Sequence, residues 1–266
     1  MHPLVNIATS AARSAGNFIM RSLDRVDQLT IESKGRNDFV TQVDRSAEAE
    51  IIKIIRKAYP NHAVLGEESG ATGDNEVVWI VDPLDGTTNF LHGLPHFAVS
   101  IGIQVRGKLE HGVIYAPCTQ DLYCATRGSG ATLNNRKIRG SQAKELDSAL
   151  IGTGVPIRAD LLDAYLPMLK TIAGNSAGIR RAGSAALDLA YVAAGRLDGF
   201  FELGLKPWDM AAGVVLVQEA GGTVSELFGG LDPMTTGHVL AAPHKLHAQL
   251  AEALRGVAQP IVSDPA

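Results

Sequence analysis

The sequence predicts a mixed α and β fold in which layered sheets are covered by helices. Apolar residues at helical spacing open the chain, short apolar runs bounded by turn residues follow, and both patterns recur in the second half. A mixture of this kind in both halves favours sheets packed between helices over a purely parallel α/β fold. At 266 residues, 45% of them hydrophobic, the chain has enough apolar material for one large unit or two subdomains that share a core.

Two predicted helices open the first half. Apolar residues recur at helical spacing over residues 3–20 and again over 44–59, and Pro60 ends the second helix. The polar segment 32–38 between them predicts an exposed, mobile loop. Predicted strands joined by short turns follow, and this arrangement implies an antiparallel sheet. These strands cover residues 63–65, 77–81, 97–105, 109–115 and 122–126.

The second half, from about residue 148, mixes helices and strands again. The predicted helices are 160–173, 184–194, 209–220 and a last helix from Lys245, and the predicted strands are 149–152, 199–203, 223–227 and 239–242. A pair of glycines after the third of these helices is a typical stop signal. We expect a single unit over residues 1–266 with subdomains of approximately 1–147 and 148–266.

Composition and charge argue against several classes of protein. The 24 basic and 28 acidic residues give a net charge of −4 and a pI near 6.1, so no bulk attraction to nucleic acid is indicated. The apolar stretches are far shorter than the roughly 18 residues of a membrane-spanning helix, and the N-terminus lacks the features of a signal peptide. We therefore expect a soluble, cytoplasmic protein in which Cys118 and Cys124 are reduced core residues.

An acidic motif directly follows the predicted strand 77–81. Residues 82–90 read Asp-Pro-Leu-Asp-Gly-Thr-Thr-Asn-Phe. Pro83 fixes φ and removes a backbone donor, which predicts a tight turn that holds Asp82 and Asp85 on one side. The glycine and threonines after this turn stand at a predicted helix start, where free N–H groups favour a bound anion. The motif therefore suits hard cations together with a phosphate.

Other candidate acids each have a structural alternative. Glu67, in the sequence Gly-Glu-Glu-Ser after a short strand, would otherwise be a solvated loop residue. Asp44 and Asp209 stand at helix starts, where an acid stabilises the helix by capping it or through its dipole. Glu202 lies in an apolar strand and needs a partner or a ligand, unless it faces solvent on an edge strand. The segment 183–185, Gly-Ser-Ala, is a candidate together with Glu202.

Considered together, several acids favour a shared metal site over separate structural roles. Those at the ends of predicted strands or helices, where turns converge on one cleft, are Glu67, Asp82, Asp85 and Asp209. Their charges would repel unless cations neutralise them. Oxygen ligands without histidine or thiolate select Mg²⁺, Mn²⁺ or Ca²⁺ over zinc, and several Mg²⁺ ions beside a phosphate indicate metal-assisted phosphoryl chemistry. The sequence has no P-loop or H-E-x-x-H motif.

Three segments of the chain resemble signatures of the inositol monophosphatase family. They are the motif 82–90, the sequence Trp-Asp-Met-Ala-Ala-Gly at 208–213 and Gly-Glu-Glu-Ser at 66–69. The resemblance extends over nearly the whole chain and is strongest to the bacterial SuhB branch, through residues 35–41, 94–100 and 183–196. It implies a five-layer αβαβα sandwich of the inositol monophosphatase and fructose-1,6-bisphosphatase type, a homodimer, Mg²⁺ dependence and inhibition by lithium.

The resemblance also implies the metal ligands. Glu67, Asp82 and the backbone carbonyl of Leu84 would hold one Mg²⁺. Asp82, Asp85 and Asp209 would hold a second Mg²⁺. A third ion would bind more weakly, through Glu67. Two or three Mg²⁺ ions are thus expected in each subunit, with Mn²⁺ as a substitute.

The catalytic and substrate residues follow from the same resemblance. Thr87, oriented by Asp44, would position the water that attacks phosphorus, and these two residues with Glu67 would be the catalytic residues. Lys34 would close over the metals. Substrate contacts would come from Leu84, Asp85, Gly86, Thr87, Arg180, Gly183, Ser184, Ala185, Glu202 and Asp209. The family often has threonine where this chain has Ser184, so the hydroxyl is kept with an altered shape.

The activity implied is Mg²⁺-dependent hydrolysis of myo-inositol monophosphate and related small polyol phosphates. Fructose 1,6-bisphosphate and 3′-phosphoadenosine phosphate are the alternative substrates, but they need extra cationic or stacking groups, and the aromatic content of 5% offers few platforms. The resemblance to the SuhB branch also raises a function of another class. Members of that branch are accessory factors in antitermination of ribosomal RNA transcription, with NusA and RNA polymerase as partners.

Overall fold

Two large β-sheets, a separate two-stranded sheet and the helices around them make up the part of the chain that the structure describes. In this computed structural model the described residues are 2–23, 25–26, 31–35, 38–156, 158–230 and 232–257. The helices are α1 (Pro3–Leu23), α2 (Gln42–Ala58), α3 (Thr87–Leu91), α4 (Ala159–Asn175), α5 (Ala185–Ala193), α6 (Pro207–Glu219), α7 (Pro233–Thr236) and α8 (His244–Arg255). None of the helices within these ranges is long and apolar enough to cross a lipid bilayer.

The strands are numbered in chain order. They are β1 (Ile31–Gly35), β2 (Asp38–Thr41), β3 (Ala63–Gly66), β4 (Gly70–Thr72), β5 (Val77–Asp85), β6 (Ala98–Val105), β7 (Lys108–Ala116), β8 (Asp121–Thr126), β9 (Gly130–Leu133), β10 (Arg136–Lys137), β11 (Leu150–Thr153), β12 (Gly178–Arg180), β13 (Gly199–Glu202), β14 (Gly222–Glu226) and β15 (Val239–Pro243). A 3₁₀ turn, Leu146–Ser148, precedes β11.

The larger sheet has eight strands in the order β10-β9-β8-β7-β6-β5-β3-β4. Neighbouring strands run antiparallel, as predicted, except that β3 and β5 are parallel. The exception arises because β4 lies outside β3 at the edge of the sheet, so the chain crosses back after β4 and enters β5 in the direction of β3. In this register Gly66 pairs with Val81, so the two strands carry the residues that follow to the same end of the sheet.

The smaller sheet has five strands in the order β12-β11-β13-β15-β14. Strand β11 runs parallel to β12 and β13, with α4 and α5 as the crossover helices, and the remaining pairs are antiparallel. Glu202 ends β13, the central strand, so the edge-strand alternative for this residue is wrong. The predicted boundary near residue 148 falls between the strands of the two sheets, and the division into subdomains stays a prediction.

The helices form three layers on the two sheets. Helices α1 and α2 pack on one face of the larger sheet, α5 and α6 lie between the sheets, and α4 and α8 cover the smaller sheet from outside. This is the αβαβα order that the resemblance implies. On β5, Ile80 packs in the core around α5 and α6, whereas Trp79 and Val81 pack in the core around α1 and α2. Burial of alternate side chains on both faces makes the sequence of this strand continuously apolar.

The segment between α1 and α2 differs from the prediction. Strands β1 and β2 pair as an antiparallel two-stranded sheet, so the predicted loop is wrong for residues 32–35 and 38. Residues 36 and 37 and the side chain of Lys34 lie outside the described part of the chain. Sequence periodicity missed the two strands because neither short segment alternates apolar and polar residues over a sufficient length.

Candidate active site

The acidic motif forms the irregular end of β5. The prediction ended this strand before Asp82 and placed a turn there, but β5 continues to Asp85. Asp82 pairs with Ser100 and Asp85 with Ala98, so three steps along β5 match two steps along β6. The extra residue on β5 makes a β-bulge, and Pro83, which has no N–H to donate, fits this interruption of the ladder. A bulge redirects side chains, so the conformation of both acids follows from it.

Glu67 lies next to Asp82 because β3 and β5 are parallel. Gly66 pairs with Val81, and the N–H of Glu67 donates a hydrogen bond to the carbonyl of Val81 over 3.1 Å. Glu67 therefore leaves β3 at the level where Asp82 follows Val81 on β5. Its side chain is half-buried, which differs from the solvated loop residue of the structural alternative.

Asp209 approaches the same region from the first turn of α6. Its Oδ2 accepts a hydrogen bond from the N–H of Lys206 over 2.7 Å, so the capping role of the structural alternative is also present. Gly102 on β6 allows α6 to pack closely, because a Cβ at this position would overlap Ala211. The close contact holds the start of α6 against the sheet that carries Asp82 and Asp85.

We call Glu67, Asp82, Asp85 and Asp209 the carboxylate cluster. Burial raises the pKa of Asp82 well above its ordinary value, and the charges of the other three members raise it further. Burial, the charge of Asp85 and that of Glu67 raise the pKa of Asp209 in the same way. Burial also raises the pKa of Asp85, but only to about 6, since hydrogen bonds from the start of α5 oppose the shift. Protons or cations must offset the repulsion within the cluster.

The donor chemistry of the carboxylate cluster fits Mg²⁺ or Mn²⁺. The side-chain atoms of the cluster that could bind a cation are all carboxylate oxygens, and neither imidazole nor thiolate is part of the cluster. As they stand, no three acidic, histidine or cysteine side chains of the described residues are arranged to hold an ion. Nearby N–H groups bind carboxylates of the cluster instead. The N–H of Leu84, for example, donates a hydrogen bond to Asp82 Oδ1 over 2.9 Å. The residues therefore fit such a cation in the chemistry of their oxygen atoms.

Thr87 and Asp44 form a hydrogen-bonded pair beside the cluster. The Thr87 Oγ1 lies 2.8 Å from Asp44 Oδ1 and 3.0 Å from the carbonyl oxygen of Leu84. The other carboxylate oxygen of Asp44 accepts hydrogen bonds from the N–H and the hydroxyl of Thr41, over 2.8 and 2.6 Å. Asp44 is thus part of the capping box of α2, as its structural alternative states, and the partner of Thr87 as well.

Gly86 stands where the two halves of the molecule meet. It precedes α3 with φ of 98°, a left-handed conformation that glycine adopts without strain. A Cβ at Gly86 would lie 3.0 Å from the carbonyl oxygen of His96 and 3.2 Å from that of Gly183. The backbone of Gly86 is therefore packed between loops from both halves, at the N-terminal end of a helix where N–H groups lack intrahelical partners.

The start of α5 binds Asp85. The Ser184 Oγ and the N–H of Ala186 both donate hydrogen bonds to Asp85 Oδ2, over 2.6 and 2.8 Å. These bonds join the second half of the chain, which carries the predicted segment 183–185, to β5. Asn89, which the sequence reasoning missed, adds a further link. Its Nδ2 donates hydrogen bonds to the carbonyl oxygens of His96 and Ala182 over 2.7 and 2.9 Å.

Glu202 extends the acidic region into the smaller sheet. Burial, followed by the charges of Asp188 and Asp85, raises its pKa to about 8. Gly154 provides the space for this side chain, since a Cβ there would overlap the Glu202 carboxylate. Asp188 is 2% exposed, and its Oδ1 has no hydrogen-bond partner in the described structure. Asp188 was missed as a candidate, although it is the one charged residue in the apolar sequence of α5.

Two neighbouring arginines have different surroundings. Arg180 is exposed, and its guanidinium donates to the carbonyl of Ile179 over 3.0 Å. The charge of Arg181 acts on the buried acids, because it lowers the pKa of both Glu202 and Asp188 against the effect of burial. The structure thus brings Arg181, which the sequence did not single out, into the electrostatic environment of the site. The substrate role of Arg180 stays a prediction.

Comparison with known proteins assigns the chain to a family. The model of the inositol monophosphatase family matches residues 1–259. The chain belongs to the inositol monophosphatase family. The Nus factor SuhB of Pseudomonas aeruginosa is 53% identical over 252 residues, which cover 92% of this chain and 93% of the relative.

Solved structures of inositol monophosphatase family members share the fold. The extragenic suppressor protein SuhB from Bartonella henselae is 44% identical, with a TM-score of 0.93 over 96% of this chain and 99% of that protein. An inositol monophosphatase from Anabaena is 39% identical, with a TM-score of 0.85 over 97% of both chains. These likenesses confirm the predicted fold and support a phosphatase of the inositol monophosphatase type. The roles of individual site residues stay predictions.

Proposed function

We propose that this chain is a Mg²⁺-dependent phosphomonoesterase that hydrolyses myo-inositol monophosphate and related small polyol phosphates. The observation that carries the proposal is the hydrogen-bonded pair of Thr87 and Asp44 beside the carboxylate cluster. A cluster of carboxylates suits the binding of cations, and a fixed hydroxyl beside it suits the orientation of a water molecule. Stability alone does not explain the carboxylate cluster, since its charges repel one another.

Each part of the site has a task in this reaction. Glu67, Asp82 and the carbonyl of Leu84 would hold one Mg²⁺, and Asp82, Asp85 and Asp209 a second, with Mn²⁺ as a substitute. When bound, Mg²⁺ supplies Lewis-acid stabilisation of the phosphoryl oxygens and the departing alkoxide, and it acidifies water.

Thr87 and its neighbours supply orientation. When Thr87 Oγ1 donates its proton to Asp44 Oδ1, its lone pairs remain to accept a hydrogen bond from the attacking water. The water oxygen would then form a bond to phosphorus as the P–O ester bond breaks, and the proton lost by the water would pass to the departing alkoxide, which leaves as the alcohol. The N–H groups of Gly86 and Thr87, at the start of α3, would bind the phosphate oxygens.

The electrostatics of the region around Glu202, where the polyol of the substrate would bind, support a monophosphate substrate. Glu202 and Asp188 make this region acidic, and Arg181 is the cation whose charge reaches them. The burial that disfavours the charged forms of Glu202 and Asp188 would also disfavour a second phosphate beside them, whereas uncharged hydroxyl groups would form hydrogen bonds with Glu202. Fructose 1,6-bisphosphate and 3′-phosphoadenosine phosphate are therefore the less favoured alternatives.

Two substitutions test the catalytic proposal. Asp209→Asn and Glu67→Gln should fold normally and lose most phosphate release at saturating Mg²⁺, because each removes a charge that would bind the cation. Asp163→Asn, an equivalent change at an exposed position of α4, is the control and should keep full activity. A panel of inositol 1-phosphate, glycerol 2-phosphate, fructose 1,6-bisphosphate and 3′-phosphoadenosine phosphate would rank the substrates. Full activity in either site variant would refute the shared metal site.

A second role, in antitermination of ribosomal RNA transcription, is supported by the names of the relatives. Relatives named Nus factor SuhB include proteins that are 45% to 53% identical to this chain. We propose NusA and RNA polymerase as partners of a homodimer in the cytoplasm, with lithium as an inhibitor of the phosphatase activity. A pull-down with purified NusA, using the native protein and Asp82→Asn, tests whether binding occurs and whether it needs an intact metal site. Absence of binding by the native protein would refute this role.

A further inference from the structure

A buried acid outside the carboxylate cluster contacts the loop that carries Glu67. Glu48 lies on α2, four residues after Asp44, and is 2% exposed. Its Oε2 accepts a hydrogen bond from the N–H of Glu68, and its Oε1 accepts one from the N–H of Ser69, both over 2.9 Å. One carboxylate therefore binds two consecutive peptide groups, immediately after the predicted metal ligand.

The shape of the loop is fitted to this carboxylate. A Cβ at Gly66 would overlap the carboxylate of Glu48. Gly66 does not have a left-handed φ, so glycine is needed here for space and not for its conformational freedom. The strand end and the helix are therefore packed so closely that Glu48 occupies the place of a side chain.

These contacts restrain Glu67 from both sides. Its own N–H donates to the carbonyl of Val81 on β5, and the next N–H, that of Glu68, donates to Glu48. The peptide groups before and after the Glu67 Cα are thus both held by hydrogen bonds.

We infer that Glu48 is a positioning residue that sets Glu67 for cation binding. Helix α2 then holds two parts of the site at once, since Asp44 binds Thr87 and Glu48 binds the loop of Glu67 one helical turn later. The inference rests on the proposed function and adds a residue that has no contact with the cation. Loss of an outer partner of a metal ligand commonly lowers metal affinity by about 10- to 100-fold.

Cation binding to purified protein tests the role directly. The probe is Mn²⁺, with binding followed by electron paramagnetic resonance at a temperature well below the unfolding transition. Glu48→Ala should weaken Mn²⁺ binding by about tenfold or more, and Glu48→Gln, which keeps one acceptor oxygen, should weaken it less. Glu50→Gln is the matched control on the same helix, where Glu50 bonds to Ser14 and Lys53. It should bind Mn²⁺ as the native protein does.

A second variant perturbs the same contact without changing charge. Gly66→Ala should also weaken Mn²⁺ binding, because the new methyl group displaces the Glu48 carboxylate. In the double variant Glu48→Ala/Gly66→Ala the methyl group enters vacated space, so the double variant should be no weaker than Glu48→Ala alone. Such non-additivity is the signature of two changes acting on one contact. Additive losses would overturn the inference.

The outcomes separate this inference from the proposed function. If the native protein neither binds Mn²⁺ nor releases phosphate in a Mg²⁺-dependent manner, both are refuted. If the native protein does so and a folded Glu48→Ala variant has the same Mn²⁺ affinity, only the positioning role is refuted. Lower unfolding stability with unchanged affinity would show a purely structural role for Glu48 and would also overturn the inference.

Discussion

The substitution Asp44→Asn tests the pairing of Asp44 with Thr87. Asp44 is 1% exposed and accepts hydrogen bonds on both oxygens, one from Thr87 and two from Thr41. An asparagine can keep its carbonyl oxygen toward the N–H of Thr41, which places the amide nitrogen toward Thr87. The amide then donates to Thr87 Oγ1, so the hydroxyl proton turns to the carbonyl of Leu84, 3.0 Å away. The direction of the hydrogen bond is reversed, and a lone pair that would accept from water is occupied.

The structure gives the size of each effect. Hydrogen bonds to a charged group contribute about 1.5–3 kcal/mol and neutral ones about 0.5–1.5 kcal/mol, so weakening the bonds that remain should lower the free energy of unfolding by about 2 kcal/mol. Misplacement of a reacting group costs about 100-fold in rate, so kcat for phosphate release should fall by at least about this factor. The protein should stay folded, with KM changed much less than kcat.

The assay combines denaturant unfolding with phosphate release at saturating substrate and Mg²⁺. Asp232→Ala is the control, because Asp232 caps α7 by accepting from the N–H of Met234 over 2.9 Å, has no place in the site, and loses a cap worth about 0.5–2 kcal/mol. It should lose stability without loss of kcat. A folded Asp44→Asn variant with native kcat would refute the orientation of water by Thr87.

Three further predictions concern the conformation and the charges around the cluster. Gly86→Ala should cost about 1–2 kcal/mol of backbone strain and lower kcat, whereas Gly107→Ala, also left-handed but in open space, should cost stability alone. Equal kcat losses in both would contradict the packing of Gly86. Glu202, whose pKa is raised from 4.5 to about 8, binds a proton in the folded but not the unfolded chain between these values, so stability in EDTA should fall as pH rises through them. Glu202→Gln should flatten this decline, and an unchanged slope in unfolding experiments would contradict the raised pKa. Arg181→Gln should shift the decline to higher pH, since it removes a charge that lowers the pKa of Glu202, and Arg180→Gln should leave it in place. A shift with the second variant alone would reverse the assignment of the two arginines.

Sequence periodicity predicted the helices and strands whose buried faces follow a regular pattern along the chain. The run 77–81 was found as a strand because both faces of β5 are covered, which makes every residue apolar. The extension of β5 to Asp85 was not found, because the bulge depends on pairing with β6, which adjacent residues do not encode. Strands β1 and β2 were missed for a related reason, since neither carries an alternating pattern.

The site shows the same division between local and long-range information. The candidate acids were identified from motifs, and the structure places them in one electrostatic group. Glu48, Asp188 and Arg181 were not identified, because their importance depends on what lies opposite them in the fold. For Asp44 and Asp209 the structural alternative and the proposed role are both compatible with the structure, since one carboxylate has two oxygens and several lone pairs.

The arrangement of donors around the carboxylate cluster shows how the fold tolerates clustered charges. Leu84, Ser184, Ala186 and Lys206 donate to its members from a bulge and from helix starts, where N–H groups lack intrahelical partners. These donors lower the pKa values but do not cancel the repulsion, because the pKa of Asp82 remains well above its ordinary value. A fold selected for stability alone would separate these acids or satisfy them fully. The remaining repulsion supports the proposal of a bound cation, which would neutralise part of this charge.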